Sequence, residues 1–308
     1  MNEIYLSYAK QKRDQYGEKV YKLPVNLPAT CPNRDGTKGW GGCIFCGEKG
    51  TGFENLSNQL SVRQQLEYNK KYIGEKYKAN LFIAYFQNFT NTYFPVEKMY
   101  EYAKQAAEVE GIVELCFATR PDCVGDDILS AIKEAAGGKG VCIELGLQSI
   151  QDETLLKIKR GHTLAEYIDA VHRIKEYRFT VGTHLILNLP YDERQNAAQA
   201  AKLMSELDVD TVKLHSLYVE KGTELCRMYE SGEITICEKE EYIQRAADFL
   251  EYLKDDISLQ RLASRVPNED AIFCNWKTGW WKLRDMIEAE MKRRGSMQGI
   301  KWRNEYGK

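Results

Sequence analysis

Cys31-Pro32-Asn33-Arg34-Asp35-Gly36-Thr37-Lys38-Gly39-Trp40-Gly41-Gly42-Cys43-Ile44-Phe45-Cys46 is the stretch on which the reading of this chain turns. Cys43 and Cys46 form a C-x-x-C pair, and Cys31 stands one loop upstream. The residues between are rich in Gly, Asn, Asp and Pro, so the segment bends around something instead of forming a helix. A structural zinc site wants four Cys or His ligands at short spacing. No His occurs before His162, and the next cysteine is Cys116. Iron–sulfur clusters are held by thiolates, normally one per iron. Three cysteines on a four-iron cluster leave one iron open to a substrate or cofactor.

Outward from this loop, short apolar runs alternate with amphipathic segments. Lys22–Leu27, Asn80–Gln87, Ile112–Thr119, Val141–Leu147, Thr180–Leu187 and Thr211–Leu217 read as strands. Their near-continuous apolar character suits parallel strands buried on both faces. Ser61–Tyr77, Val96–Glu110, Asp126–Ala136, Leu164–Tyr177, Asp192–Leu207 and Lys239–Leu253 read as helices, with Ser61 and Asp192 as N-caps. Gly111 and the 137–140 Gly-Gly-Lys-Gly run read as helix stops. Six β-then-α units argue for a parallel sheet with right-handed crossovers. The expected fold is α/β, an open (β/α)6 partial TIM barrel over residues 1–257, with a C-terminal extension over 258–308. Ser258–Val266 is a candidate last strand, a charged helix follows Trp280 and Trp281, and Gly295–Lys308 is expected to be a poorly ordered or docking tail.

The cysteine loop resembles the cluster-binding loop of radical S-adenosylmethionine (SAM) enzymes. The familiar spacing there is C-x3-C-x2-C; here the first gap is eleven residues. The longer gap is similar to that of the radical SAM domain of the Elongator catalytic subunit, and the wording CPNRDGTKGWGGCIFC is similar to that of the YhcC/YtqA-like bacterial family. The resemblance runs from about Tyr16 to about Gly299. It implies the partial barrel already read from the strands, a [4Fe-4S] cluster on Cys31, Cys43 and Cys46, and SAM as cofactor. It also implies reductive cleavage of SAM to a 5′-deoxyadenosyl radical.

In barrel-like α/β folds the sites form at the C-terminal ends of the strands. The first strand runs directly into the cysteine loop. The second ends in a turn with Gln87, where radical SAM relatives carry a Gly-Gly-Glu-like turn that holds the SAM amino group. The third ends in Thr119-Arg120-Pro121-Asp122-Cys123, which resembles an Elongator-type segment. Arg120 offers a donor fork to SAM or an anionic substrate, or else forms a salt bridge with Asp122. The fourth ends in Glu144-Leu145-Gly146-Leu147-Gln148-Ser149, and Arg160 follows one short helix later. The resemblance, shared with the oxygen-independent coproporphyrinogen oxidase, implies that Gln148 and Arg160 touch SAM, with Ser149 beside them. Glu144 either hydrogen-bonds SAM or pairs with a base such as Lys213, because a buried lone carboxylate is unfavourable. His184 on the fifth strand is either a satisfied core residue or a group near the SAM ribose. His215, on the sixth, lies in a segment that runs beneath the adenine in relatives. Cys116 and Cys142 read as small core residues. Cys123 is a candidate hydrogen donor, with a spectator role as the plainer reading.

Formal net charge is -2, so there is no global case for a nucleic-acid binder. Basic residues cluster near the ends: Lys10, Lys12, Arg13 and Lys19, then Lys292, Arg293, Arg294, Lys301 and Arg303. Tyr5, Tyr8, Tyr16, Trp302 and Tyr306 are interleaved with them, a pattern compatible with gripping a phosphate backbone. No apolar run is long enough to span a bilayer and the N-terminal stretch lacks a signal-peptide apolar region, so a cytoplasmic protein without membrane contact is expected. Unpatterned cysteines suit a reducing compartment. The Elongator-like resemblance implies tRNA wobble uridine as substrate, the YtqA-like resemblance implies remodelling of its 5-carboxymethylaminomethyl group, and a reductant such as flavodoxin or ferredoxin is expected as a partner. The alternatives are radical chemistry on a small metabolite or porphyrin-like cofactor, or an iron–sulfur electron-transfer or sensor protein.

Overall fold

The structure, a computed structural model, describes residues 3–47, 50, 55–267 and 269–307; Lys308 of the expected tail lies outside them. In chain order its elements are α1 (Tyr8–Tyr16), β1 (Val20–Val25), α2 (Val62–Tyr77), β2 (Leu81–Phe86), α3 (Val96–Ala107), β3 (Ile112–Thr119), α4 (Asp126–Ala136), β4 (Gly140–Gln148), α5 (Asp152–Lys157), α6 (Leu164–Glu176) and β5 (Thr180–Ile186). Then follow α7 (Arg194–Glu206), β6 (Thr211–His215), β7 (Val219–Glu220), α8 (Glu224–Glu230), α9 (Lys239–Tyr252), β8 (Ser258–Arg261), β9 (Ala271–Phe273), α10 (Trp280–Arg293) and α11 (Ile300–Tyr306).

One sheet of seven strands runs β1-β2-β3-β4-β5-β6-β8, every neighbouring pair parallel. Strands such as Leu81-Phe82-Ile83-Ala84-Tyr85-Phe86 are buried along almost their whole length. Their outward residues meet the helices in the main apolar core, where Phe86 stacks on Phe117 with ring centroids 4.4 Å apart. The curled, open sheet is the expected half-barrel, extended by β8 as a seventh strand. The N-terminal segment lies against that last strand, with Leu259 N donating to Leu6 O. From there α1 lies across the start of β3: buried Lys12 pairs with Glu114 at 2.5 Å, and Tyr16 donates to the same carboxylate at 3.1 Å. Lys12, expected among the phosphate-gripping residues, is therefore spent inside the protein.

Local signals explain most helix starts. Ser61 with Gln64 and Thr163 with Glu166 form capping boxes. Asp192 does not cap α7, which begins behind Glu193; its carboxylate instead accepts from Ser149 Oγ at 3.1 Å and Thr154 Oγ1 at 2.6 Å. Of the two expectations for the tail, poorly ordered or docking, the described residues take the second. Gln298 is buried and its amide joins Leu6 N, Lys254 O and Ile257 O, so the chain is fastened before α11, which packs on α9. Among the described residues no helix is long and apolar enough to cross a membrane.

Candidate functional site

Side chains alternate along a strand, so one set of every strand faces the barrel interior. Here that set is polar to a degree rare for an interior: Lys22 (β1), Tyr85 (β2), Glu144 (β4), His184 (β5), Lys213 and His215 (β6) and Arg261 (β8). All but Lys22 line one cavity of about 200 Å³, whose wall also carries Cys31, Cys43 and Cys46.

The cysteine loop wraps over the strand ends as its composition predicts. Its glycines reach backbone angles closed to most side chains, with φ of 90° at Gly36 and 93° at Gly42. It is stapled to the far side of the barrel: Ile44 N donates to Ile158 O at 3.2 Å, and Leu225 N donates to Ile44 O at 2.8 Å. Buried Asn33 donates to Lys159 O at 2.7 Å and Arg160 O at 2.9 Å, and lies 3.5 Å from Cys43 Sγ. The close fit needs Gly161, because a Cβ there would stand 2.4 Å from Asn33 Oδ1.

Each sulfur has its own guanidinium. Arg120 Nη1 lies 3.9 Å from Cys31 Sγ, Arg160 Nη1 lies 3.7 Å from Cys43 Sγ, and Arg34 Nη2 lies 3.4 Å from Cys46 Sγ. Burial and the neighbouring Cys43 push the Cys46 thiol up, and Arg34 works against that rise. Cations this near favour thiolates, the form that binds metal. Among the described residues, the set of three Cys, His, Asp or Glu ligand atoms drawn within 4.8 Å of one another is Cys116, Cys142 and Glu144, not the loop cysteines. Thiolates on one zinc ion sit about 3.8 Å apart, given Zn–S bonds near 2.3 Å. The three loop cysteines do not form a set drawn together within 4.8 Å. Cys116 and Cys142, paired across β3 and β4, lie where Glu144 is already engaged by basic groups; burial and the adjacent Cys142 hold the Cys116 thiol well above its usual range, which fits the expected core role.

The expected cofactor residues fall into three groups. Gln87, Gln148 and His184 line the cavity with polar ends, joined by Thr90 and Asn88, which were missed. Among the described residues Thr90 Oγ1 and Asn88 Oδ1 are buried without a hydrogen-bond partner, so the wall offers unsatisfied polar atoms to a ligand. Gln87 donates to Asn55 Oδ1 at 2.8 Å. Asn88 and Phe89 both have positive φ, so this turn reaches, without glycine, a backbone shape that glycine adopts more easily. Gln148 follows a register shift in β4 and has φ of 75°.

Arg120 and Arg160 line the same cavity, but their forks are largely used within the protein. Arg120 grips Asp122 with two 2.9 Å bonds and donates to Arg160 O and Gly161 O; Asp122 in turn meets Lys38 at 2.9 Å. Arg160 donates from Nε and Nη2 to Gly146 O, at 3.1 and 2.7 Å. A Cβ on Gly146 would come within 2.8 Å of that Nη2 and 2.9 Å of Gln148 Nε2. Both arginines thus shape the loop and face its sulfurs.

Ser149 does not line the cavity; its hydroxyl is bonded to Asp192. Cys123 lines an outer groove, and burial with neighbouring Asp122 pushes its thiol up to about 12, which fits a spectator. Glu144 is fully buried and takes Lys22 at 2.5 Å, His184 at 2.8 Å, Gln260 at 2.7 Å and Lys213 at 3.6 Å. Burial opposes its charge, but Lys22 and Lys213 outweigh burial and hold its carboxyl well below the usual range. The expected pairing with Lys213 is present, with Lys22 the nearer partner. Burial, then Lys213, lowers His184 to about 4, and burial, then Arg261, lowers His215 well below its usual value, so both rings are neutral near pH 7.

Residues 29–204 match the radical SAM superfamily, and residues 209–293 match the radical SAM C-terminal domain. Over 93% of this chain and 89% of its own, YtqA of Bacillus subtilis is 34% identical. A tRNA uridine(34) acetyltransferase of Methanocaldococcus jannaschii is 32% identical over 43% of this chain and 24% of its own length. The structure of Elp3 from Methanocaldococcus infernus superposes with a TM-score of 0.70 at 19% identity, over 91% of this chain and 64% of that one, and so shares the fold.

Proposed function

The chain belongs to the radical SAM superfamily and groups there with YtqA, and on that premise we propose that Cys31, Cys43 and Cys46 hold a [4Fe-4S] cluster and that the enzyme modifies the wobble uridine of tRNA. The cofactors of this family are that cluster and SAM. The observation that carries the assignment is the set of three cysteines, each beside its own guanidinium, on the wall of one polar cavity.

Held by Cys31, Cys43 and Cys46, the cluster would supply the one-electron reduction of SAM on which the radical chemistry of this superfamily depends. The polypeptide does the rest. Arg34, Arg120 and Arg160 offset the thiolate charge. Gln87, Asn88, Thr90 and Gln148 present hydrogen-bonding groups to SAM, with neutral His184 and His215 deeper in the wall. The barrel walls exclude water from a reactive intermediate. Electrons come from a small reductant of the flavodoxin or ferredoxin kind.

Support for tRNA comes from the likeness to a tRNA uridine(34) acetyltransferase over part of the chain. The resemblance to YtqA-like proteins points further, to remodelling of a 5-carboxymethylaminomethyl group. The test has two parts. Anaerobically reconstituted Cys31→Ala, Cys43→Ala and Cys46→Ala proteins should each lose iron and visible absorption; full retention by any one removes that ligand from the assignment. Mass spectrometry of tRNA nucleosides from a deletion strain should show an unprocessed wobble uridine, and a normal profile would sink the substrate.

A further inference from the structure

The barrel floor holds more positive charge than the protein itself neutralises. Glu144 is the carboxylate facing Lys22, Lys213, His184 and Gln260, and Lys22 is its nearest counter-ion, at 2.5 Å. Lys213 stands 3.6 Å from that carboxylate and donates to Tyr85 Oη at 2.8 Å. Arg261 is left with less. Its Nη2 lies 2.5 and 2.9 Å from the two ring nitrogens of neutral His215, and among the described residues its buried Nε has no hydrogen-bond partner. Among the described residues it pairs with no carboxylate.

A desolvated guanidinium without a counter-charge is strongly unfavourable, and a packed apolar residue of similar volume would be better for stability alone. It sits on β8, at the opposite end of the strand order from β1 and the cysteine loop, yet lines the same cavity as the three cysteines. Lys213 shows the same imbalance: burial lowers it to about 7 despite Glu144. A planar fork on β8, an ammonium beside it on β6 and a phenol that meets the ammonium from β2 line one cavity and are the donors an oxyanion requires.

We propose that Arg261, Lys213 and Tyr85 form a subsite for a carboxylate or phosphate group of the substrate, which brings the missing negative charge with it. The proposal deepens the function above and rests on it only for which molecule carries the anion.

Anaerobic thermal unfolding of the reconstituted protein tests it, with sodium acetate or inorganic phosphate as probe at constant ionic strength. One of the two should raise the wild-type Tm, and so name the oxyanion. In Arg261→Gln the half-saturating concentration should rise about 10- to 100-fold, as expected for losing hydrogen bonds to a charged group. Arg261→Met should raise the Tm of anion-free protein, since it removes an unpaired buried charge; that readout is independent of any anion. No protection by either probe, or equal protection of wild type and Arg261→Gln, overturns the subsite. A matching loss of SAM affinity in Arg261→Gln also overturns it, by giving the guanidinium to the cofactor. Binding of tRNA with and without a carboxylate on its wobble uridine then separates the two readings. A preference of about tenfold for the carboxylate, lost in Arg261→Gln, places the anion on tRNA. Acetate protection without any tRNA preference keeps the subsite and overturns the tRNA substrate.

Discussion

Gln148 carries a backbone strain that its side chain makes useful. Its φ of 75° lies where glycine is at ease and other residues lose about 1–2 kcal/mol, and such strain collects at ligand sites. Gln148→Gly should therefore change unfolding stability by no more than about 1 kcal/mol while weakening SAM binding in a titration. Intact SAM affinity would show that the side chain serves only the fold. Asn33 makes a complementary case. Asn33→Ala removes the amide that donates to Lys159 O and Arg160 O, and leaves those carbonyls buried. A loss of about 1–3 kcal/mol in stability is expected, together with lower iron retention after reconstitution. Undiminished iron would detach Asn33 from the cysteine loop's geometry. The sequence showed the cysteines through their spacing but not Asn33, whose partners lie far along the chain. The same limit applied to Arg160. Its place was readable by resemblance, but its engagement with Gly146 O needs the backbone of β4, which no spacing describes.

Elements were legible in proportion to how apolar they are. The strands buried on both faces stood out as unbroken runs, and β3 ends where its run ends. Helices with polar faces were found through caps and periodicity. The difficult pieces were the extent of β8, expected over Ser258–Val266 and formed over Ser258–Arg261, and α11, anchored through one distant glutamine. The polar interior was legible only in part, because Lys22, Gln260 and Arg261 become neighbours of Glu144 and His215 through the curl of the sheet. Glu144→Ala should cost about 3–5 kcal/mol in chemical denaturation, since it strands Lys22 and Lys213 without their carboxylate. A loss below about 1 kcal/mol would mean that water reaches the floor and satisfies those charges. The pH dependence follows from the same layer. Burial lowers His162 to about 3 and His184 to about 4, from 6.5. As pH falls below about 6.5 the unfolded chain takes up protons that the folded chain refuses, so stability should fall from there toward pH 4. Lys213, lowered from 10.5 to about 7, acts in a second window: the unfolded chain binds the extra proton between those values, and stability should rise with pH across it. Lys213→Met should flatten the upper window, and it should narrow the lower one because His184 loses a neighbouring cation. An unchanged slope above pH 7 would remove Lys213 from the account.

At the scale of the molecule, the terminal basic residues change meaning. Arg294 is enclosed by Asp248 at 2.8 Å, Glu251 at 3.0 Å and Glu290 at 2.8 Å, and Lys301 meets Glu251 at 2.5 Å. Arg303 pairs with Asp255, and Lys10 with Asp14. Arg294 and Lys301 tie α9, α10 and α11 together, and with Arg303 and Lys10 also paired these cations offer a phosphate backbone far less than their sequence pattern promised. Arg294→Ala should lower stability by about 1–3 kcal/mol, because it removes charged hydrogen bonds to three mostly buried carboxylates, each of which keeps a second cation in Arg194, Lys301 or Arg293. Arg293→Ala, on a side chain that is 70% exposed, should change it by less than about 1 kcal/mol. Equal effects would contradict the network.

The staples of the cysteine loop reach beyond catalysis. Ile44 is bonded in both directions, to Ile158 and to Leu225, and Asn33 locks the same loop from within. All these fastenings are made by polypeptide alone, so the receptacle keeps its shape however often its inorganic contents are lost. Damage by air is then a matter of refilling, not of refolding. Aerated, iron-depleted protein should return to service on reloading without passing through a chaperone or a denaturant.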